Sequence, residues 1–437
     1  MLLANMNTLL ATKKRAVRDD LVPLFLKELS DREESGAEGP GPGRRDLTQL
    51  LLREALASRV SDIHLEPRST GLRVRFRIDG VVWDVAQLST AQAKLVSNQF
   101  KAMAQLDPIT PFTPRDSHAT ATIDDIKLDL RLSLAPCLNG ETISLRLLNN
   151  QRIERSIRDL GLSAVNQDRL EDWMEQSTGM FLAAGPTSSG KTTTVYALLH
   201  AMKYADRRII SFEDPIEYEI DGITQIQLDA RHQLDFAEGV KSMLRLDPDY
   251  LMLGEIRDAN SAHSAVNAAV SGRVLLSTIH ARDAIGAVTA LRNWGLGDHE
   301  IVESLTVVVA QRLVRKLCPH CRDRATPGEK ELSWLKTIQA PVPRRTWFSK
   351  GCEKCRGLGY FGRTGVFEFW RLDTRDYDLI VTHSTEHELR RHLADLGHVS
   401  LLEDGLAKVQ DGTTSLSEIR RMGATGVAWR ESATITK

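Results

Sequence analysis

No apolar run in this sequence of 437 residues approaches the ~20 residues a helix needs to cross a bilayer, so no membrane-spanning helix is expected. No secretion signal is expected either, because Lys13, Lys14 and Arg15 follow the apolar residues of the N-terminus instead of preceding them. Neither sign of charge is in excess: 57 Lys and Arg stand against 58 Asp and Glu, a formal net charge of -1. So small an imbalance steers the chain to neither nucleic acid nor anionic lipid, and any such contact must be local. Cysteine is scarce, five in all, and its arrangement, taken up below, suits a reducing compartment. No internal repeat is evident. What is plentiful is apolar residue, 42% of the chain, enough for the cores of two or three globular domains. The expected location is the cytoplasm.

One stretch carries a chemistry by itself. Gly185-Pro186-Thr187-Ser188-Ser189-Gly190-Lys191-Thr192 fits the phosphate-binding loop of nucleotide hydrolases without a gap. Glycines at both ends let the backbone curl so that amide hydrogens converge on phosphate oxygens, Lys191 adds a point charge, and the Thr192 hydroxyl can ligate Mg²⁺. By chance such a pattern arises in roughly one chain of this length per hundred. Its context narrows that further. The apolar run Phe181–Ala184 precedes it and the helical pattern Thr193–His200 follows, which predicts strand, loop and helix in the order required, with phosphates at the positive end of the helix.

Ahead of this loop, a helix is expected around Leu21 to Leu29 and a polar Gly/Pro linker from Asp31 to Gly43, so residues 1–45 read as a tethered extension. Asp46 and Gln49 are placed to cap a helix whose Leu50, Leu51 and Ala55 share one side. Leu72, Val74, Phe76 and Ile78 alternate with Arg73, Arg75, Arg77 and Asp79, and Asp79-Gly80 turns the chain into Val81-Val82-Trp83: a hairpin. Its arginine row reads as a solvated basic face more readily than as a phosphate grip. Strands at Lys127–Leu134 and Thr142–Leu148 complete a small α/β unit ending near residue 155. From 160 to 310, strand-like runs at Phe181–Ala184, Ile209–Phe212, Tyr250–Leu253 and Val274–Thr278 alternate with helical patterns, which predicts a parallel sheet covered on both faces. Thr385 with Glu388, and Ser415 with Glu418, read as capping boxes of short C-terminal helices.

Three of those strands end on chemistry. Leu251-Met252-Leu253-Gly254-Glu255 brings a carboxylate to where a nucleotide hydrolase holds Mg²⁺ or its waters. Glu213-Asp214-Pro215-Ile216-Glu217 follows the strand ending at Phe212, and Thr278-Ile279-His280 places an imidazole where it could sense a terminal phosphate. Separately, Cys318-Pro319-His320-Cys321 and Cys352-Glu353-Lys354-Cys355 form two pairs of matched spacing, 30 residues apart. Four thiolates enclose a tetrahedral Zn²⁺ with no open position, a staple and not a catalyst, with His320 a bystander. Cys137 reads as a small core residue.

Together these segments resemble the secretion ATPases of bacterial type II secretion and type IV pilus assembly, the GspE/PilB group, over about residues 46 to 423. Gly185 to Thr192, with Thr193 beside them, match the family's Walker A loop. Ser211 to Tyr218 match its Asp box, Leu246 to Asp258 its Walker B segment and Ser277 to His280 its His box. Gln311-Arg312-Leu313-Val314-Arg315 leads into the cysteines as in the family, and Ser61 to Pro67 match its amino-terminal domain.

The resemblance implies an α/β fold: a PAS-like domain over 46–155, a RecA-like P-loop core over 156–310, a zinc-binding module over 311–375 and a helical C-terminal region over 376–437. It implies six copies in a ring, with ATP and Mg²⁺ between the two main domains and phosphate-reaching arginines at Arg131 and Arg146. Glu213 would polarise the attacking water, Glu255 order the metal and His280 report the γ-phosphate. The implied partners are a polytopic inner-membrane platform protein, a membrane-docking partner and, indirectly, pilin-like subunits, with no direct nucleic-acid contact. Fibre assembly is the expected task, and the alternatives are a retraction or DNA-uptake motor and a weakly hydrolysing scaffold.

Three features depart from the family pattern. His118 stands where an arginine is usual, Lys241 replaces another arginine while Arg245 is kept, and the 45-residue head is too short for the full docking domain.

Overall fold

The computed structural model describes residues 47–108, 113–148, 155–203, 207–228 and 236–423. The helix expected at 21–29, the linker at 31–43 and the cap at Asp46 lie outside them. The chain divides into two compact units, one comprising residues 1–151 with Gly351–Gly362, the other 152–350 with 363–437.

In the first unit, α1 (Leu47–Ala57) is followed by β1 (Val60–Arg68), β2 (Gly71–Ile78), β3 (Val81–Leu88), α2 (Thr90–Met103), β4 (Arg115–Ile123), β5 (Ile126–Cys137) and β6 (Gly140–Leu148). The six strands form one sheet in the order β3-β2-β1-β6-β5-β4, every neighbour antiparallel. Period-two alternation decides which side is buried: Leu72, Val74, Phe76 and Ile78 of β2 face a core shared with α1 and α2, and the intervening arginines face away. The expected hairpin is present, with Asp79 and Gly80 at φ +48° and +82°, the left-handed pair a two-residue turn between twisted strands requires.

The second unit continues with α3 (Ala164–Met174), β7 (Gly179–Ala184), α4 (Lys191–Met202), β8 (Ile209–Glu213), β9 (Thr224–Gln227), α5 (Phe236–Leu244), β10 (Tyr250–Ile256), α6 (Ala259–Val270), β11 (Val274–Ile279), α7 (Ala284–Asn293), α8 (Asp298–Ser304) and β12 (Leu305–Leu317). Then come β13 (Arg322–Ala325), α9 (Glu329–Thr337), β14 (Thr346–Ser349), β15 (Tyr360–Arg371), α10 (Thr374–Val381), α11 (Glu386–Asp395), α12 (Leu401–Gln410) and α13 (Leu416–Met422). Seven strands form a sheet ordered β15-β12-β7-β11-β10-β8-β9, parallel from β12 through to β9. Strands β7, β8 and β11 are buried along their whole length, as continuous apolar runs covered on both faces must be. Each ends at one edge of the sheet, so residues just beyond β7, β8, β10 and β11 gather there, where open parallel sheets bind ligands.

Thr385 and Glu388 form the expected reciprocal box at the start of α11. At α13 the box is one-sided. Ser415 Oγ accepts from the Glu418 amide, but the Glu418 carboxylate turns to Arg315 at 2.7 Å.

Candidate active site

The loop between β7 and α4 leaves the sheet at Gly185, whose amide donates to the Ile279 carbonyl at 3.1 Å. No side chain fits at Gly185, since a Cβ there would lie 2.7 Å from the Gln311 carbonyl oxygen. Gly190 enters α4 at φ +93°, a left-handed conformation that glycine adopts freely. Pro186, Thr187 and Ser188 form an exposed lip, Ser189 is buried, and Thr192 in the first turn of α4 is exposed. A helix N-terminus with an accessible hydroxyl fits a phosphate and its Mg²⁺. The Ser189 hydroxyl is buried with no partner among the described residues.

Beneath the loop, Lys191 Nζ donates to the Gly185 carbonyl at 2.9 Å and lies 3.3 Å from His280 Nδ1 and 3.6 Å from Glu255 Oε1. His280 Nε2 is 2.8 Å from the same Glu255 oxygen. Residues from α4, β10 and the end of β11 thus close into one charged cluster. Burial lowers the Lys191 pKa from its usual value, and the Glu255 charge opposes that shift. Arg257 Nε donates to the other Glu255 oxygen at 2.7 Å, while Nη1 reaches Asp214 Oδ2 at 3.2 Å. Arg257 thereby ties the end of β10 to the acidic segment after β8, a bridge that no sequence spacing announced.

Glu213, the last residue of β8, is 3% exposed. Ser211 Oγ and Gln225 Nε2 donate to its Oε1 at 2.7 and 3.1 Å, and the Tyr196 hydroxyl donates to its Oε2. On another flank of the loop, Arg312, Leu313, Glu418, Arg421 and Met422 join Pro186 to Ser189 around a cleft of about 230 Å³. This is room beside the phosphate site, and α13 contributes to it.

Lys241 pairs with Glu238 at 3.0 Å on the surface of α5. Arg245, just past that helix, is exposed. Arg131 and Arg146 lie on β5 and β6 of the first unit, directly opposite one another, with His118 opposite Arg131 on β4 and Asp62 opposite Arg146 on β1. Residues opposite across a ladder share a face, so the two arginines and the histidine that replaces a third stand in one row. Asp62 accepts from Arg146 Nε at 3.0 Å and lies 3.4 Å from Arg77 Nε. The arginines of β2 are paired likewise. Arg73 makes a two-pronged contact with Asp84 at 2.7 and 2.8 Å, and Arg75 reaches Glu66 at 3.0 Å. They form a carboxylate-matched face.

The four cysteines of the two pairs come together: the thiols of Cys318, Cys321, Cys352 and Cys355 lie within 4.8 Å of one another. Cys352 and Cys355 sulfurs are 3.7 Å apart, close to the ~3.8 Å separating ligands that each sit 2.3 Å from a tetrahedral zinc. The Cys352 and Gly359 amides each donate to Cys355 Sγ at 3.2 Å, which favours a thiolate. The donor set and spacing suit zinc. His320 is exposed and no part of the cluster. Cys137 is not the core residue expected. It ends β5, exposed, beside Leu138, which is 98% exposed, because the alternation of β5 carries it to a hairpin tip beyond the core.

Comparison with known proteins bears on this geometry. The family model described as Type II/IV secretion system protein matches residues 37–421. The Type II secretion system ATPase E of Vibrio cholerae is 38% identical over 376 residues, 86% of this chain and 74% of that protein. The Type IV pilus assembly ATPase PilB of Myxococcus xanthus is 36% identical over 380 residues, 85% of this chain and 66% of that protein. Among solved structures, the Legionella pneumophila ATPase DotB superposes with a TM-score of 0.64 at 19% identity, covering 87% of this chain and 97% of that one, a likeness of fold.

Proposed function

We propose that this chain, which belongs to the Type II/IV secretion system protein family, hydrolyses ATP and couples hydrolysis to assembly of a pilus or pseudopilus fibre. The observation that carries this reading is the convergence of Lys191, Glu255 and His280 beneath an amide-lined loop at the sheet's ligand-binding edge.

A triphosphate entering the loop would be held by the backbone amides at the start of α4. Lys191 then exchanges its 3.6 Å contact with Glu255 for the β- and γ-phosphate oxygens. Thr192 and Glu255 would hold Mg²⁺ and its waters, and the bound ion supplies charge neutralisation at the transferring phosphoryl group. Glu213 polarises the attacking water. His280, against both Lys191 and Glu255, changes partners when a γ-phosphate arrives and so reports it. Arg131, Arg146 and Arg245 supply further positive charge to the phosphates, and the four cysteines hold zinc as a staple. Six copies form the working ring, in the cytoplasm and peripheral to the inner membrane. It acts on a polytopic platform protein, with a docking partner and, indirectly, pilin-like subunits, and it makes no direct nucleic-acid contact.

The cysteine cluster favours assembly over retraction, since the retraction chains this sequence resembles generally lack it, and it does not bear on a DNA-uptake motor. Phosphate release by the purified protein separates a motor from a weakly hydrolysing scaffold. Glu213→Gln keeps the size and one acceptor of the side chain, so nucleotide affinity is retained while turnover falls about 10²–10⁴-fold. Native turnover by this variant would remove Glu213 from the mechanism.

A further inference from the structure

A carboxylate offers about four acceptor positions, two on each oxygen. On Glu213, Oε1 takes both Ser211 Oγ and Gln225 Nε2, and Oε2 takes the Tyr196 hydroxyl. Among the described residues the acceptor position left over is therefore on Oε2, beside Tyr196. The donors are fixed in turn. Gln225 Oε1 accepts from the Ile220 amide at 2.7 Å, and its Nε2 also donates to the Tyr218 carbonyl at 3.1 Å. The Tyr196 oxygen accepts from the Glu217 amide at 3.3 Å, and its ring, 1% exposed, meets the Tyr218 ring edge-on at 4.7 Å. Burial, then the Glu213 charge, pushes the tyrosine pKa far above its usual value, so the hydroxyl keeps its proton. Tyr196 stands four residues after Thr192 on α4, one turn along the same face. The helix that presents the phosphate-binding hydroxyl thus also presents the donor to Glu213.

We infer that Tyr196 is a positioning residue for Glu213: its hydroxyl holds Oε2 so that the remaining acceptor position of that oxygen is offered to the water attacking the γ-phosphate. This rests on the reading of Glu213 as the group that polarises water. Tyr196→Phe keeps the ring packing and removes only the hydroxyl. In the full-length chain it lowers kcat about tenfold or more, while KM for ATP and the affinity for a fluorescent ATP analogue stay within about twofold, the pattern of an interaction made only in the transition state. In a Glu213→Gln background the same change adds no further loss, because two groups acting through one step are not additive. Ser211→Ala, which strips a donor from the filled oxygen, loses less than Tyr196→Phe, and it serves as the readout should the phenylalanine variant not fold. Native kcat in Tyr196→Phe, a loss that multiplies with Glu213→Gln, or a larger loss in Ser211→Ala would overturn the assignment. Inactive Glu213→Gln beside a native-rate Tyr196→Phe sinks the tyrosine's role alone. Glu213→Gln at native rate sinks the underlying reading as well.

Discussion

Charge is handled in opposite ways in the two units. In the first, arginines stand on the open face of an antiparallel sheet with carboxylates between them. Arg146, its side chain 62% exposed, shares Asp62 with Arg77. In the second, Lys191 and Glu255 are 9% and 17% exposed, and both touch His280. The Arg146 guanidinium is open to solvent, so its contact is screened and contributes about 0–1 kcal/mol, and because Arg77 also reaches Asp62, Arg146 can leave the carboxylate for another anion at little cost. The largely buried Lys191–Glu255 pair is coupled more strongly, and its cation leaves only for an anion that replaces what it loses. One arrangement suits a guanidinium that moves onto a ligand, the other a pocket that waits for one.

The largest expected effect tests the first half of that contrast. If Arg131 and Arg146 reach the phosphates during the cycle, replacing either with Ala costs about 10³-fold in turnover while the melting temperature stays near native. Steady-state phosphate release together with calorimetry checks this, and a melting temperature that falls in step with activity would make these residues structural.

A smaller effect sharpens the picture of burial in the second unit. Glu368 on β15 is 1% exposed, accepts from the Ala284 amide at 3.2 Å, and has a pKa raised to about 7, chiefly by burial and then by the Asp283 charge. The folded chain therefore binds this proton more tightly than the unfolded chain does. Its stabilising contribution is complete below the ordinary carboxylate range and is lost as pH rises through about 7. Glu368→Gln mimics the protonated form, so it should melt about 5 °C higher than native at pH 8 and close to native at pH 5. Equal shifts at both pH values would show that ionisation plays no part. The smallest effect belongs to Arg73→Ala, on the same sheet face as Arg146. Its contact with Asp84 is a surface pair, worth about 1 kcal/mol or less, and turnover is unchanged. Loss of turnover there would erase the distinction between the matched arginines of β2 and those of β5 and β6.

Much of the candidate nucleotide site's framework was legible because its elements are local. An apolar run, a glycine-bounded loop and a helix are contiguous in sequence, and β7, the loop and α4 appear where periodicity put them. The carboxyl-end residues Glu213, Glu255 and His280 were legible for the same reason. Strand β9 was not, since Thr224-Gln225-Ile226-Gln227 holds one apolar residue and gives no alternation to count. Strand β15 was hidden differently: nothing in Tyr360–Arg371 tells that this segment, after the cysteine pairs, returns to the edge of the seven-stranded sheet beside β12. Cys137 failed because its residue type suggested a core that the register of β5 does not give it.

Residue type and spacing by themselves determined the candidate chemistry: a glycine-bounded loop suited to phosphate, four thiols matched for zinc, and strands with one face to bury. Which groups act together was decided only by tertiary structure. Ser211 and Gln225 become partners of Glu213 because β8 and β9 pair in parallel with Ser211 opposite Gln225, and Tyr196 joins them because α4 packs over that sheet. The physical reason is range. Backbone preference and hydrophobic period act over a few residues, whereas a hydrogen bond to a buried carboxylate needs donors whose positions are fixed by strand order and register across the whole domain.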